Sequence, residues 1–157
     1  MLIETYTDEF TDEIINLILN IQNDEAGINL SLQEQPDLLN IKQSYQQDGG
    51  EFWVALHDGK VIGTIGLMIK EANCAILKKF FVKRGYRSQK VGLALYYELL
   101  KYANVMGVKH IILDTPSVAH TSHGFYERAG FRKIQKEALP VAYSYPDRDS
   151  ILYMLDL

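Results

Sequence analysis

Apolar residues recur along the chain with two different spacings, and each spacing predicts a different kind of element. Short runs that are alternately or continuously apolar are typical of strands. Such runs predict strands at residues 3–6, 52–57, 61–69, 72–82, 109–113, 131–137 and 151–155. Apolar residues three or four positions apart indicate amphipathic helices. This spacing predicts four helices, which begin near Thr7 or Asp8, at Pro36, at Val91, and at Thr121 or Ser122.

Glycines mark where several of these elements end. The pair Asp58-Gly59 separates two strands and is a typical hairpin turn. Gly107 and Gly130 each follow a predicted helix and suit its C-terminal cap. The order is therefore a hairpin of strands, then strand, helix, strand, helix and strand. This order predicts an α/β fold with a mainly antiparallel first half and a crossover connection in the second.

Length and composition are those of one globular domain. The chain has 157 residues, of which 47% are apolar and 23% charged, and this excludes a disordered or fibrous protein. No apolar run approaches the ~18 residues of a membrane span, and the first residues lack the basic region of a signal peptide. No membrane partner is expected. The single cysteine, Cys74, excludes an internal disulfide and a cysteine zinc cluster, and indicates a reducing cytoplasm.

Charge is distributed unevenly along the chain. Residues 1–60 hold twelve acids and two bases, whereas residues 61–157 hold eight acids and fourteen bases. Six bases and no acid lie between Lys78 and Lys90. An acidic chain with one compact basic stretch argues against general nucleic-acid binding, which needs a wide basic face. The stretch suits either one small polyanion or a solvated lysine-rich edge.

The segment with the most chemical content joins the predicted strand 72–82 to the helix that begins at Val91. Free backbone N–H groups and the helix dipole favour phosphate binding at such a helix N-terminus. Gly92, in the first turn, permits close approach of a ligand to the backbone, at a helix cost of ~1 kcal/mol relative to alanine. An ordinary strand-to-helix turn, in which the glycine allows tight packing on the sheet, explains the same residues equally well.

This segment resembles the pyrophosphate loop of the GCN5-related N-acetyltransferase (GNAT) superfamily. The loop of that family reads Arg/Gln-x-x-Gly-x-Gly/Ala and follows the fourth strand. Arg87 and Gly92 match its first and last positions, and Ser88 and Lys90 stand where glycines are common. A second stretch, from Tyr126 to Phe131, is similar to the family's Tyr-Glu-x-x-Gly-Phe motif. The Lys90 side chain is hypothesised to add charge to the phosphate site.

The resemblance implies a fold and a set of binding residues. The fold is one GNAT-like domain over residues 1–157, with a mixed, mostly antiparallel sheet of six or seven strands. About four helices flank this sheet, and its fourth and fifth strands splay apart to admit the cofactor. The residues that the resemblance assigns to the cofactor are Phe81, Val82, Arg87, Ser88, Gln89, Lys90, Val91, Gly92 and Leu93.

Acyl transfer from a thioester to an amine needs a proton donor for the thiolate, donors for the carbonyl oxygen and a neutral amine. By resemblance, Tyr126 is the catalytic proton donor, and the alternative is a core tyrosine. A backbone N–H near Phe81 or Val82 is expected to bind the oxygen. The general base stays open among the side chains of Glu51, Asp114, His120 and His123, with ordered water as a further alternative.

No metal is expected. His120 and His123 are three residues apart, but no third ligand lies at a suitable spacing. Cys74 lies in a predicted strand without a motif histidine, and a buried structural role is expected for it. The family often has an asparagine about seven residues before the tyrosine, and this chain has Ala119 there.

Two functions are compatible with these motifs. The first is an acetyl-CoA-dependent N-acetyltransferase that moves an acetyl group to a primary amine of a small molecule or peptide by direct attack in a ternary complex. The acidic residues 1–60 would attract a cationic acceptor, and loops 24–36 and 138–149 would build its pocket. The second is a non-catalytic CoA-binding or protein-interaction module. A homodimer through the last strands is common in similar proteins.

Overall fold

One mixed sheet organises the fold. The computed structural model describes residues 1–71, 73–146 and 149–157. Within these residues seven strands form a sheet in the order β1-β2-β3-β4-β5-β7-β6. Every neighbouring pair is antiparallel except β4 and β5. The strands are β1 (Leu2–Thr5), β2 (Glu51–His57), β3 (Lys60–Ile69), β4 (Cys74–Val82), β5 (His110–Pro116), β6 (Arg132–Ile134) and β7 (Ser150–Asp156).

In the part of the chain that the structure describes, four helical segments flank the sheet. Three are α-helices: α1 (Thr11–Leu19), α2 (Val91–Val105) and α3 (His120–Arg128). A π-helical turn, Asn20–Glu25, continues α1. The fourth segment consists of a 3-10 turn, Pro36–Leu39, and a π-helical turn, Lys42–Gln46. No helix in the described part of the chain is long and apolar enough to cross a membrane.

The two faces of the sheet bury different clusters. On one face, α2 and α3 pack against side chains such as Trp53, Leu77 and Leu113. On the other face, α1 and the turns of residues 36–46 cover Phe52 and Val54. A smaller cluster on that second face packs residues of β4, β5 and β7 against the loop that precedes β7.

The strands β4 and β5 separate after a short region of contact. Their pairing comprises Cys74 with His110, Ala75 with Ile111, and Ile76 with Ile112. Beyond these residues β4 continues its ladder with β3, while β5 continues with β7. The sheet therefore opens between the C-terminal ends of the two strands. This opening and the mixed seven-stranded sheet confirm the fold class predicted in the sequence analysis.

A β-bulge at Lys79 changes the side-chain alternation of β4. Thr64 pairs with Phe81 and Gly66 pairs with Lys78, so β4 has one residue more than β3 between these pairs. Lys79 adopts a left-handed backbone conformation with φ 55°, and its carbonyl accepts a 2.7 Å hydrogen bond from the Thr64 hydroxyl. Because of the extra residue, Lys78 and Lys79 both face the same side of the sheet.

Several predicted boundaries differ from the structure. The helix predicted from Pro36 is interrupted at Asn40, whose backbone leaves the helical region. The two turns are then held together by a 2.7 Å hydrogen bond from the Tyr45 hydroxyl to Asp37. The strand predicted at 131–137 ends at Ile134, because residues 136–138 form a 3-10 turn.

Two further boundaries concern helix α3 and strand β4. Helix α3 begins at His120, one residue before the predicted caps, and its N-cap residue Ala119 makes no capping side-chain bond. Of the strand predicted at 72–82, residue 72 lies outside the described residues, and β4 begins at Cys74.

Candidate active site

The loop between β4 and α2 is ordered by its own hydrogen bonds. The N–H of Lys83 bonds the carbonyl of Ile62, and the N–H of Tyr86 bonds the carbonyl of Lys83. A 3-10 turn, Arg87–Gln89, leads to Lys90, from which α2 begins. The N–H groups of residues 91–93 lie in the first turn of α2, where the helix itself provides no acceptor. This arrangement is the one that binds phosphate at a helix N-terminus.

The Arg87 guanidinium is held by protein groups. Its Nε donates to the carbonyl of Val82 at 2.8 Å, and its Nη2 lies 2.6 Å from Glu25 Oε2. Glu25 belongs to the π-helical turn after α1. Arg87 thus fixes the loop to the end of β4 and to the N-terminal helix. Arg87 was predicted to contact the cofactor, and the structure gives its side chain this bridging position.

The packing around Gly92 leaves room for a side chain. A Cβ built at Gly92 meets Phe80 at 3.5 Å and Val82 at 3.6 Å, which are ordinary van der Waals contacts. Tight packing on the sheet therefore does not explain the glycine. The other explanation for a glycine at this position is that it permits close approach of a ligand to the backbone.

Replacing Gly92 by alanine is expected to leave the free energy of unfolding unchanged or to raise it by up to about 1 kcal/mol. The helix gains the better helix former, and no neighbour has to move. Gly66→Ala is the contrasting variant, because its Cβ would lie 2.7 Å from Tyr45 and 2.8 Å from Phe52. We expect Gly66→Ala to cost about 1–3 kcal/mol. Urea unfolding of both variants measures the difference, and a comparable loss in both would contradict this account of Gly92.

The end of β4 presents a backbone donor to the opening. Because the N–H of Lys83 points to β3, and amides alternate along a strand, the N–H of Val82 faces the side from which β5 has separated. By the same alternation the N–H of Phe81 faces β3. Of the two donors predicted for the carbonyl oxygen, the strand geometry therefore favours Val82.

Tyr126 lies on α3 in an aromatic cluster. Its side chain is buried, with a residue exposure of 6%, and its ring lies 6.3 Å from that of Phe80 and 5.6 Å from that of Phe131. Among the described residues its hydroxyl has no hydrogen-bond partner. Burial raises the pKa of this phenol well above its usual value, and the negative charge of Asp114 and the nearby Tyr96 act in the same direction. Tyr126 is therefore a neutral phenol throughout the working range of an enzyme.

Asp114, near the C-terminal end of β5, connects the opening with the second face of the sheet. Its Oδ1 accepts a 3.3 Å hydrogen bond from the Tyr143 hydroxyl. Burial raises the pKa of the Asp114 carboxyl, while the charge of Lys78, the bond from Tyr143 and the charge of Lys79 act against this rise. A carboxylate with a raised pKa is a stronger base than an exposed one.

The other three candidates for the general base are either bonded to other protein groups or exposed, and are less suited to this role than Asp114. The Glu51 carboxylate accepts hydrogen bonds from Gln46 at 2.6 Å and from the N–H of Phe52. The His123 ring is buried and its Nε2–H donates to the carbonyl of Pro116 at 2.9 Å. His120 is exposed, and its ring meets that of His123 edge to face at a centroid distance of 5.7 Å.

Neither a metal cluster nor a reactive thiol is found in the described residues. Across residues 1–71, 73–146 and 149–157, no three side chains of the histidine, cysteine or acidic type are grouped to hold a metal ion. Cys74 is fully buried, and burial raises the pKa of its thiol. A protonated, enclosed thiol fits the structural role predicted for this residue.

A cavity of about 730 Å³ lies on the face of the sheet opposite α2 and α3. Its walls come from residues 34–37 on one side and residues 143–146 on the other, and Ile76 and Lys78 of β4 contribute to it. Residues 34–36 and 143–146 of these walls lie in the two loops predicted to surround an acceptor, whereas Asp37 follows the first loop. Residues 147 and 148 of the second loop lie outside the described part. Tyr143 lines the cavity and bonds Asp114, so the cavity leads towards the opening between β4 and β5.

Comparison with known proteins gives the family. A sequence model of the acetyltransferase (GNAT) family matches residues 15–131. The chain belongs to the GNAT family. A GNAT acetyltransferase from Staphylococcus aureus Mu50 is 34% identical, with a TM-score of 0.96 over 99% of this chain and 98% of that chain. This membership confirms the resemblance that the two motifs indicated.

Further similar proteins were found by sequence and by structure. N-acetylaspartate synthetase of Xenopus tropicalis is 33% identical over 100 residues, which are 62% of this chain and 37% of that protein. The chain spans about a third to a half of the length of the curated GNAT relatives that it matches. An N-acetyltransferase from Thermoplasma acidophilum, solved with coenzyme A, is 22% identical with a TM-score of 0.76 over the whole of both chains. At that identity the likeness shows the fold alone.

Sequence reasoning missed three features around this site. These are the bulge at Lys79, the Arg87–Glu25 bond and the buried ion pair between Lys79 and Asp37 at 3.6 Å. Each joins residues far apart in the chain. The one local signal was the pair Lys78-Lys79 between two continuous apolar runs. In a regular strand the two lysines would face opposite sides of the sheet, and one of them would lie in the apolar core.

Proposed function

We propose that this protein transfers an acetyl group from acetyl-CoA to a primary amine of a small molecule or peptide. The observation that carries the proposal is the alignment of three features at one opening in the sheet. These are the helix N-terminus at residues 91–93, the outward N–H of Val82, and the buried phenol of Tyr126. Family membership and the related N-acetyltransferases support the same reaction.

The proposed binding mode uses the backbone. The first-turn amides of α2 bind the pyrophosphate, and the chain from pyrophosphate to thioester follows β4, where β5 has left the strand edge unpaired. Gly92 leaves the approach to these amides open. Arg87 acts through its bonds to Val82 and Glu25, which hold the loop in this arrangement.

In the proposed reaction the amine enters from the cavity and attacks the thioester carbonyl. The N–C bond forms, the C–S bond breaks, and the proton lost from nitrogen passes to the carboxylate of Asp114. The N–H of Val82 stabilises the carbonyl oxygen as it becomes negative. The sulfur leaves as a thiolate that accepts a hydrogen bond from Tyr126. An exposed phenol and a thiol have similar pKa values, near ~10 and ~8.5. Burial widens that gap, so the hydroxyl stabilises the thiolate mainly by hydrogen bonding.

The test combines binding and turnover. Calorimetry measures coenzyme A binding, and a thiol reagent follows CoA release from acetyl-CoA with a panel of amines, with mass spectrometry of the products. We expect micromolar binding of CoA, which is about −8 kcal/mol, and acetylation of at least one amine. Binding without release on any amine would favour the non-catalytic module, and absence of CoA binding would contradict both functions.

Lys90 allows a test of the loop itself. It adopts φ 61° and ψ 23°, the left-handed conformation that glycine adopts without strain. Lys90→Gly is expected to leave the free energy of unfolding unchanged or to raise it by up to about 1 kcal/mol. Glycine relieves the strain of the left-handed backbone, and this gain exceeds the additional conformational entropy that glycine loses on folding. If the ammonium contributes to phosphate binding, the Kd for acetyl-CoA rises about two- to five-fold.

Thermal denaturation and calorimetry measure the two effects separately. Lys90→Gln is the matched control, because it removes the charge but keeps a side chain at the strained position. We expect Lys90→Gln to weaken binding like Lys90→Gly without the gain in stability. Unchanged or tighter binding of acetyl-CoA by both variants would remove the Lys90 side chain from the site.

A further inference from the structure

A half-buried lysine of β4 faces the cavity. Lys78 lies on β4, directly before the bulge, and lines the cavity. Considering only the residues that the structure describes, no carboxylate lies within 4.0 Å of its ammonium group. A cation on a partly enclosed wall is stabilised when an anion binds there. Lys78 is therefore available to a ligand.

The neighbouring lysine is already paired. The Lys79 side chain is only 8% exposed, and its Nζ lies 3.6 Å from Asp37 Oδ2. The same carboxylate oxygen accepts a 2.7 Å hydrogen bond from the Tyr45 hydroxyl. Asp37 lines the cavity, but its charge is balanced by these two groups. The acid on this wall thus offers little attraction to a cationic ligand.

The acids of residues 1–60 do not concentrate at the cavity. Glu25 is bonded to Arg87, and Glu51 is bonded to Gln46. Among the described lining residues are three lysines, Lys70, Lys78 and Lys79, and two acids, Glu34 and Asp37. Because Lys79 balances the charge of Asp37, the remaining charged residues of the lining are Lys70, Lys78 and the exposed Glu34. The lining therefore favours an anionic group on the ligand over the cationic acceptor hypothesised from the sequence.

Lys78 and Asp114 carry opposite charges and lie on the same face of neighbouring strands, each two residues after an isoleucine of the smaller cluster on that face. The charge of Lys78 lowers the pKa of Asp114, and no ion pair within 4.0 Å joins the two side chains in the described residues. An α-amino acid has the complementary arrangement, with an ammonium and a carboxylate on one carbon. We infer that the acceptor is a small amine with a carboxylate close to its amino group, as in an α-amino acid. Lys78 binds the carboxylate and Asp114 accepts the proton that the neutral amine loses as the N–C bond forms, and this assignment rests on the proposed function.

The rest of the cavity suits the remainder of such a molecule. Met68 and Ile76 form an apolar part of the lining, and the rings of Tyr143 and Tyr145 lie 5.3 Å apart. A volume of about 730 Å³ is within the range of small-molecule sites and exceeds the needs of an amino and a carboxylate group alone. The side chain of the acceptor would occupy this space.

The experiment compares acceptors that differ only in the carboxylate. The panel contains the twenty amino acids, their α-amides and the corresponding decarboxylated amines, and thiol release from acetyl-CoA is measured with each. We expect at least one amino acid to be acetylated with a kcat/KM about 10- to 100-fold above its amide and its amine, the range for a charge-assisted hydrogen bond. Equal or higher kcat/KM for the carboxylate-free compounds overturns the inference and leaves the proposed function intact. No thiol release with any compound overturns the inference, and it overturns the proposed function as well when the amine panel of the earlier test also gives no release.

Variants of Lys78 test whether this side chain causes the preference for an acceptor with a carboxylate. Lys78→Met is expected to raise the KM of the best amino acid about 10-fold or more, and to leave the kcat/KM of its amide nearly unchanged. Lys78→Arg keeps the charge and is expected to recover part of the affinity. Lys109→Met is the matched control, since Lys109 is exposed and precedes β5 at the end away from Asp114. Equal losses for the amino acid and its amide in Lys78→Met would overturn the inference, as would an unchanged KM.

Discussion

Tyr126→Phe is expected to lower kcat for acetyl transfer by about 100-fold, with little change in the KM for acetyl-CoA. The substitution removes the one group proposed to stabilise the departing thiolate and keeps the ring in its cluster with Phe80 and Phe131. The hydroxyl has no hydrogen-bond partner in the described part of the chain, so its loss leaves no other group unpaired. The variant should therefore unfold at the same or a higher temperature.

Steady-state thiol release and calorimetric binding of CoA test this expectation together. Tyr97→Phe is the matched control, because Tyr97 lies on α2 with 56% of its surface exposed. It should retain full activity and affinity. An unchanged kcat in Tyr126→Phe would show that Tyr126 has only a structural role, which is the alternative of a core tyrosine.

Asp114→Asn is expected to lower kcat/KM by about 100-fold and at the same time to raise the melting temperature at pH 7. Asparagine does not accept the proton of the amine, so the first effect follows from the proposed reaction. The second follows from burial, which raises the pKa of Asp114 in the folded state above its value in the unfolded chain. At neutral pH the folded protein holds a buried charge that the amide does not carry.

The stability effect has a defined dependence on pH. A carboxyl with a raised folded-state pKa contributes full stability when it is protonated in both states, and this contribution is lost as pH rises through the folded-state pKa. The difference in melting temperature between variant and wild type should thus be small near pH 3.5 and grow towards pH 7. Asp48→Asn, at an exposed position, is the control and should show no such growth. A destabilised Asp114→Asn with full activity would contradict both roles of this residue.

The elements that carry the site were predictable because their signals are local. The helix that begins at Val91, the strand before it and the helix that ends before Gly130 each follow from apolar spacing and glycine positions over a few residues. The two motifs then gave the family, which the comparisons confirm. The cofactor residues and Tyr126 remain predictions, now with the positions that the structure assigns them.

The charges that line the cavity were not predictable, because they depend on contacts between distant segments. Its lysines and acids are brought together by the pairing of β3 with β4 and by the turns of residues 36–46, and Asp37 meets Lys79 across 42 positions of the chain. The helix predicted from Pro36 had adequate local signals. It is interrupted because burial of Leu38 and Tyr45 on the sheet outweighs continuous helical bonding.

The bulge at Lys79 affects how related chains are to be aligned. Lys78 and Lys79 face the cavity, whereas Phe80 packs with α3 on the opposite face. Deletion of one residue here would restore a regular ladder. The side chains of β4 on one side of the deletion would then point to the opposite face of the sheet. An ungapped alignment with a relative that lacks the bulge would therefore equate cavity residues with core residues. Acceptor preferences should be transferred between GNAT sequences only after the strand register at this position has been matched.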